Sequence, residues 1–303
     1  MKRLPLWASN TLFLMLLASL IAISAVTQAT SALDFYGRNV LVEGVVLGLA
    51  LLFLCLFKVP VNSVGFVRVR LSLIFTVAGL AISGYGLVSG INVIWNLFMR
   101  SLGAHFPQSG GLPLQGPFEI VMTVACVALI PAFCEEFFFR GVFMRSCEPL
   151  GKWPAILLSG ALFGLLHMQV QNVLAHMVLG VVISYLVHRS GSLFVGMAYH
   201  GVNNLIAVGL SAVVRNGTGL PQLGMPAPVF GTALAAFIVF GLSGLFFAGF
   251  MAVFRMLTGN RDGTPAAMEG GRVVLSSIPL FLALMIIGSV LTLGFCRAFG
   301  VLG

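Results

Sequence analysis

Two adjacent carboxylates, Glu135 and Glu136, lie inside an apolar run of the sequence that extends from Met122 to Phe139. An ionised side chain is costly to bury in a lipid bilayer, so an acidic residue within an apolar segment marks a candidate functional site. The whole chain has only 8 acidic residues, and two of them are neighbours here. The pair is therefore the first candidate for residues that carry chemistry.

The spacing around this pair predicts different roles for the two carboxylates. Arg140 follows Glu136 by four residues, which places both side chains on one face of a helix and favours an ion pair. Glu135 is rotated by about 100° from Glu136 and faces a different neighbour. Pro131 precedes Glu135 by four residues and should loosen the helix there, because proline has no backbone N–H. We interpret Glu136 and Arg140 as supporting residues and Glu135 as the reactive carboxylate.

Two histidines and an asparagine in later apolar segments supply the other groups that a hydrolase needs. His167 ends one segment, and His200 and Asn204 lie four residues apart in another, on one helical face. A carboxylate and an imidazole can together take a proton from water, and a second imidazole and an amide can donate hydrogen bonds to an oxyanion. We assign His176 to helix packing.

These residues must be positioned by secondary-structure elements, and the composition indicates that those elements are membrane helices. The chain of 303 residues is 59% hydrophobic and 8% charged, with a mean hydropathy of +1.08, whereas soluble proteins carry roughly 25% charged residues. The net charge of +8 does not indicate nucleic-acid binding, since excess Lys and Arg in a membrane protein belong to cytoplasmic loops. The scattered cysteines form no disulfide or CxxC pattern.

Nine apolar segments can be marked with about 20 residues per span as the yardstick. The fold class is therefore an all-α integral membrane protein, a polytopic bundle of about eight or nine transmembrane helices. The fifth and sixth segments are short and joined by an uncharged link, so they are predicted to form a short buried helical hairpin. The predicted segments are 7–29, 39–57, 70–99, 118–146, 154–168, 172–188, 193–213, 228–256 and 273–299.

The distribution of basic residues predicts the orientation in the membrane. If the segments alternate, most of the 16 Lys and Arg residues fall on the side of the N-terminus, which is then cytoplasmic. At about 1.5 Å per residue, Glu135, His167, His200 and Asn204 then lie in one band, about 12–20 Å from the cytoplasmic ends of their helices. This shared depth predicts a single site built from three helices.

Three motifs in this order resemble those of the CAAX prenyl protease and bacteriocin-processing family (CPBP, or Abi), whose members are intramembrane glutamate proteases. The motifs are Glu135-Glu136-x-x-x-Arg140, Phe163-x-x-x-His167 and His200-x-x-x-Asn204. The resemblance implies that Glu135 and His167 activate water and that His200 and Asn204 form the oxyanion hole, with Glu136 and Arg140 in support. It also implies a membrane-associated protein substrate, in many members one cleaved near its prenylated C-terminus.

The organisation of the chain follows from these motifs. We expect N-terminal transmembrane helices over 1–117, a catalytic core resembling the family over 118–213, and C-terminal transmembrane helices over 214–303. The predicted function is a CAAX-type membrane endopeptidase of a multi-pass protein, in the plasma (inner) membrane if the source is bacterial. Its partners are a membrane-associated or lipid-modified protein or peptide substrate and the lipid bilayer, and no nucleic acid.

Two alternatives stay open at this stage. A zinc protease would use Glu135, Glu136, His167 and His200 as ligands, although the sequence has no tight ligand spacing and we expect no cofactor. A non-catalytic immunity, scaffold or transport protein would reuse the same fold, because polar clusters within membranes also serve proton relays.

Overall fold

The computed structural model describes residues 3–31, 33–106, 111–215, 229–259 and 276–300, and it contains helices and no strands within these ranges. Eight of the helices described are long and apolar enough to cross a membrane, and a ninth is shorter. The predicted polytopic helical bundle is confirmed, with helix ends within a few residues of the expected ones. The helices are α1 Leu6–Thr30, α2 Phe35–Leu56, α3 Leu71–Ser101, α4 Pro117–Leu150, α5 Lys152–Leu166, α6 Val173–Ser190, α7 Leu193–Arg215, α8 Val229–Thr258 and α9 Ile278–Ala298.

Helix α4, which carries the glutamate pair, is not a uniform α-helix. Two π-helical segments, Val124–Leu129 and Phe137–Phe143, flank a short α-helical segment, Ile130–Glu136. Pro131 is at the start of that central segment, and its missing N–H explains why the regular hydrogen-bond ladder is interrupted just before it. The expected loosening at Pro131 is therefore present. The second π-helical segment, which contains Arg140, was not predicted.

Helices α5 and α6 form the predicted hairpin, and small residues allow their backbones to approach closely. Helix α5 is short, as expected, whereas α6 is long enough to cross a membrane. A Cβ atom added at Gly160 would collide with the backbone nitrogen of Val181, and one added at Gly164 would collide with that of Met177. Glycine at both positions is therefore a requirement of the helix contact, as expected for a small-xxx-small pattern. This contact fixes the position of the turn that follows His167.

The turn between α5 and α6 is held by three side chains of α3. Asn92 donates to the Asn172 side-chain oxygen at 3.0 Å, Trp95 donates to the Val170 carbonyl at 2.8 Å, and Asn96 donates to the Gln171 carbonyl at 2.9 Å. Non-helical backbone within a membrane protein is tolerated where such partners satisfy its polar groups.

Helix α1, the first of the predicted transmembrane segments, packs against the other helices. Asn10 donates to the backbone carbonyl of Ser276 at 2.7 Å, and the buried ring of Phe13 lies 5.8 Å from that of Phe143 on α4. The cytoplasmic position of the N-terminus remains a prediction from the basic residues.

Candidate active site

A cavity of about 570 Å³ lies between α2, α3, α4, α5, α6 and α7. All four residues that were predicted to act on the substrate line it: Glu135, His167, His200 and Asn204. They come from three different helices and from three separate motifs, so the cavity brings together groups that lie up to about 70 residues apart in sequence. The predicted convergence on one site is present in the fold.

Glu136 and Arg140 form the expected ion pair beside this cavity. The Arg140 Nη1 atom donates to Glu136 Oε1 at 2.7 Å, and both side chains are completely buried. Arg140 also donates from Nη2 to the Gly180 carbonyl at 2.8 Å and from Nε to the Ser184 hydroxyl at 3.2 Å. A buried ion pair of this kind stabilises only when further hydrogen bonds satisfy it. Here those bonds fasten α4 to α6.

His200 lies between the two glutamates. Its Nδ1 atom is 3.0 Å from Glu136 Oε1, and its Nε2 atom is 3.8 Å from Glu135 Oε2. Glu136 is completely buried, whereas 17% of the Glu135 side chain is exposed. The helical phase therefore separates the twin carboxylates as predicted: Glu136 anchors Arg140 and His200, and Glu135 faces the cavity.

The partner of His167 determines which of its ring nitrogens can act as a base. Its Nδ1 atom is 2.8 Å from the Phe163 carbonyl oxygen. Because a carbonyl oxygen can only accept a hydrogen bond, Nδ1 carries the hydrogen in the neutral ring, and Nε2 then has the lone pair. The Nε2 atom is thus the proton acceptor of this imidazole.

Phe163, the first residue of its motif, packs against three of the polar groups. The Arg140 guanidinium carbon lies 4.7 Å from the centre of the Phe163 ring, a cation–π contact. The same ring contacts those of His167 at 5.0 Å and His200 at 5.6 Å between centroids. An aromatic residue at this position therefore holds both imidazoles and the guanidinium in their orientations.

Asn204 is positioned by the irregularity of α4. Its Nδ2 atom donates to the Val127 carbonyl at 3.1 Å. In a regular helix, that carbonyl would accept a hydrogen bond from residue 131, but Pro131 has no N–H to donate. The proline thus leaves an acceptor that orients the Asn204 amide, and the second hydrogen of Nδ2 remains for another acceptor.

A carboxyl group and an imidazole that were not predicted to belong to the site also line the cavity. Glu43, on α2, was not singled out, although it interrupts an apolar run as Glu135 does. His176 was assigned to helix packing, but its ring stacks on that of His167 with centroids 4.3 Å apart and planes 10° from parallel. Its Nδ1 atom lies 3.0 Å from the Asn172 carbonyl, so its Nε2 atom also keeps a lone pair.

One of the four residues that were predicted as ligands in the zinc alternative, Glu136, is already hydrogen-bonded to other side chains. Glu136 Oε1 already accepts hydrogen bonds from Arg140 and His200. Within the described part of the chain, no three His, Cys, Asp or Glu side chains are arranged to hold a metal ion.

Comparisons with known proteins identify one family over the central helices. Searches of curated proteins and of solved structures gave no match. A family model described as "Type II CAAX prenyl endopeptidase Rce1-like" matches residues 117–206, a segment that contains all three motifs and every residue of the predicted site. At the family level this supports a membrane endopeptidase. The predicted resemblance to the CAAX prenyl protease family is confirmed over residues 117–206.

Proposed function

We propose that this protein is an intramembrane endopeptidase that hydrolyses a peptide bond in a membrane-associated protein, with water activated between Glu135 and His167. One observation carries the proposal: four groups of matched chemistry, from three helices, converge on a single cavity. Glu135 and His167 can accept protons, and His200 and Asn204 can donate hydrogen bonds. Acyl transfer to water requires both kinds of group. The match to residues 117–206 supports the same reaction class.

The reaction begins with the removal of a proton from water. The Glu135 carboxylate faces the cavity, and His167 offers a lone pair on Nε2. Water held by these two acceptors loses a proton to Glu135 as its oxygen attacks the scissile carbonyl carbon. General-base assistance of this kind contributes a factor of about 10²–10⁴ in rate.

The negative charge that develops on the carbonyl oxygen is stabilised by His200 and Asn204. Asn204 has one amide hydrogen that is not used by the Val127 carbonyl. The Nε2 atom of His200 lies on the side of Glu135, 3.8 Å from its Oε2 atom, and in this mechanism it carries the hydrogen that is donated to the oxyanion. Removal of one such donor lowers kcat by about 10²–10³.

The substrate class follows from the surroundings of the site and from the matched family. The cavity lies among membrane-spanning helices, so a scissile bond must reach it from a substrate that is itself associated with the bilayer. The family description names CAAX prenyl endopeptidases. We therefore include C-terminally prenylated CAAX-type proteins in the proposed substrate class.

The test uses the full chain reconstituted in liposomes, with an S-farnesylated CAAX peptide that becomes fluorescent when cleaved. Cleavage by the wild type is expected to fall by at least about 10² in Glu135→Gln and to persist in Glu119→Gln. Glu119 is at the start of the same helix and does not line the cavity. Equal rates in the two variants would refute the proposed role of Glu135.

Two further measurements on the same samples test the alternatives. If stoichiometric zinc is found and is lost together with activity on chelation, the metal-free mechanism is wrong. If the farnesylated peptide is not cleaved, the protein termini of membranes that contain wild type or Glu135→Gln are compared by mass spectrometry. Identical termini, together with a cellular phenotype that survives the substitution, would point to the scaffold or transport alternative.

A further inference from the structure

Glu43 is a third carboxyl group at the cavity and comes from outside the segment that matches the family model. It lies on α2, with only 6% of its surface exposed, and it lines the cavity together with Glu135. Its Oε2 atom has no hydrogen-bond partner in the described structure. A buried carboxyl oxygen without a hydrogen-bond partner is destabilising. A hydrogen-bond partner that arrives with the substrate would satisfy this oxygen.

The charges around the cavity indicate which carboxyl group holds a proton. Arg140 pairs with Glu136, and His200 lies between Glu136 and Glu135. Among the described residues, no Lys or Arg lines the cavity, so Glu43 has no comparable cation. Its carboxyl group also interacts electrostatically with that of Glu135. Of two carboxyl groups that share a poorly solvated site, the one without a neighbouring Arg or His side chain keeps its proton more readily.

We propose that Glu43 is the general acid of this site and donates a proton to the leaving-group nitrogen, while Glu135 accepts the proton from water. The inference rests on the proposed function, because it assigns a second step of the same hydrolysis. A peptide amine is too basic to leave as an anion, so the carbon–nitrogen bond breaks only when the nitrogen is protonated. A neutral carboxylic acid in contact with the substrate supplies that proton.

The protons balance over one turnover. As the water oxygen bonds to the carbonyl carbon, one water proton moves to Glu135 and the oxyanion forms. When the oxyanion collapses, the carbon–nitrogen bond breaks, its electron pair goes to nitrogen, and Glu43 protonates that nitrogen. The products are a carboxylic acid and an amine, with Glu135 protonated and Glu43 ionised. A proton then passes from Glu135 to Glu43 within the shared cavity, which restores the starting state.

The experiment compares two peptides that differ only at the scissile bond: the farnesylated amide and the matching thioester. A thiolate leaves without being protonated, so thioester hydrolysis needs the base but not the acid. We expect Glu43→Gln to lower amide cleavage by about 10²–10⁴ and thioester cleavage by less than about tenfold. Glu135→Gln should lower both reactions. Glutamine has the shape of a protonated glutamate, so the thioester rate also reports whether the site is still assembled.

Each outcome decides between the roles. A selective loss of amide cleavage in Glu43→Gln supports the general acid, and so does the disappearance of a carboxylic-acid band from the infrared spectrum of the resting protein. Equal losses on both peptides would show a structural or binding role and overturn the proposal, as would an unchanged amide rate. If Glu43→Gln does not fold, Glu43→Asp, which keeps the acid, must retain a higher ratio of amide to thioester cleavage than Glu43→Ala. If Glu135→Gln has no effect, the proposed function itself fails, whatever Glu43 does.

Discussion

Gly196, on α7, allows the Glu136 carboxylate to lie directly against the helix backbone. A Cβ atom at this position would be 2.7 Å from Glu136 Oε2 and 2.7 Å from a methyl carbon of Val187. Both distances are shorter than any real contact of a Cβ atom, so Gly196→Ala forces one of these neighbours to move. Glu136 cannot move freely, because its other oxygen is bonded to Arg140 and His200.

The same helix offers a matched control. At Gly201, an added Cβ atom would lie 3.7 Å from the Ala132 methyl carbon, which is an ordinary contact. Replacement of a glycine within a helix by alanine gains about 1 kcal/mol of helix propensity, and overpacking a buried site costs about 1–3 kcal/mol. Gly201→Ala should therefore be neutral or stabilising by up to about 1 kcal/mol, whereas Gly196→Ala should destabilise by up to about 2 kcal/mol.

The effect of Gly196→Ala on catalysis should exceed its effect on stability. A hydrogen bond to a charged group contributes about 1.5–3 kcal/mol. If Glu136 is displaced by the new methyl group and such a bond to His200 is lost, the rate falls by about 10- to 150-fold. Cleavage of the farnesylated peptide and thermal unfolding in detergent are measured for both variants. Equal activities of the two alanine variants would refute the argument that Glu136 positions His200.

Two other substitutions test the remaining links between fold and site. Pro131→Ala restores the N–H that the helix lacks, and this N–H competes with Asn204 for the Val127 carbonyl. Peptide cleavage should therefore fall while the unfolding temperature stays equal or rises. A decrease in both the cleavage rate and the unfolding temperature would contradict this explanation. Arg140→Met removes the arginine partner of the buried Glu136 and should lower the free energy of unfolding by about 3–5 kcal/mol, as measured by denaturant titration in mixed micelles. A loss below about 1 kcal/mol, the range of exposed pairs, would show that the pair is not isolated from solvent.

The features that could be predicted from the sequence are those that depend on spacing along one helix. The Glu136–Arg140 pair follows from a separation of four residues, and the orientation of Glu135 away from it follows from the helical period. The grouping of His167 with Asn204 followed from a common depth, because membrane helices cross the same slab of lipid. Each of these inferences needs only the position of a residue in its own helix.

The features that could not be predicted depend on contacts between elements. The stacking of His176 on His167 is set by the turn between α5 and α6, whose course depends on side chains of α3. The anchoring of Asn204 requires that α7 pass the Val127 carbonyl. Glu43 carries the same signal as Glu135, an acid in an apolar run, but it has no charged residue three or four positions away and no motif around it. Its importance appears only when α2 is placed beside α4.

Because the two glutamates are adjacent, the contacts that fix Glu136 also restrict the position of Glu135, which would not hold for carboxylates far apart in the sequence. Glu136 is fixed on three sides, by Arg140, by His200 and by the backbone at Gly196. Since Glu135 is attached to Glu136 by a single peptide unit, the position of the Glu135 carboxylate depends on how Glu136 is held. His200 is hydrogen-bonded to Glu136 as well and faces Glu135 at 3.8 Å. The proposed base, Glu135, and the proposed oxyanion donor, His200, are therefore both positioned by one buried ion pair, so a displacement of that pair moves both together.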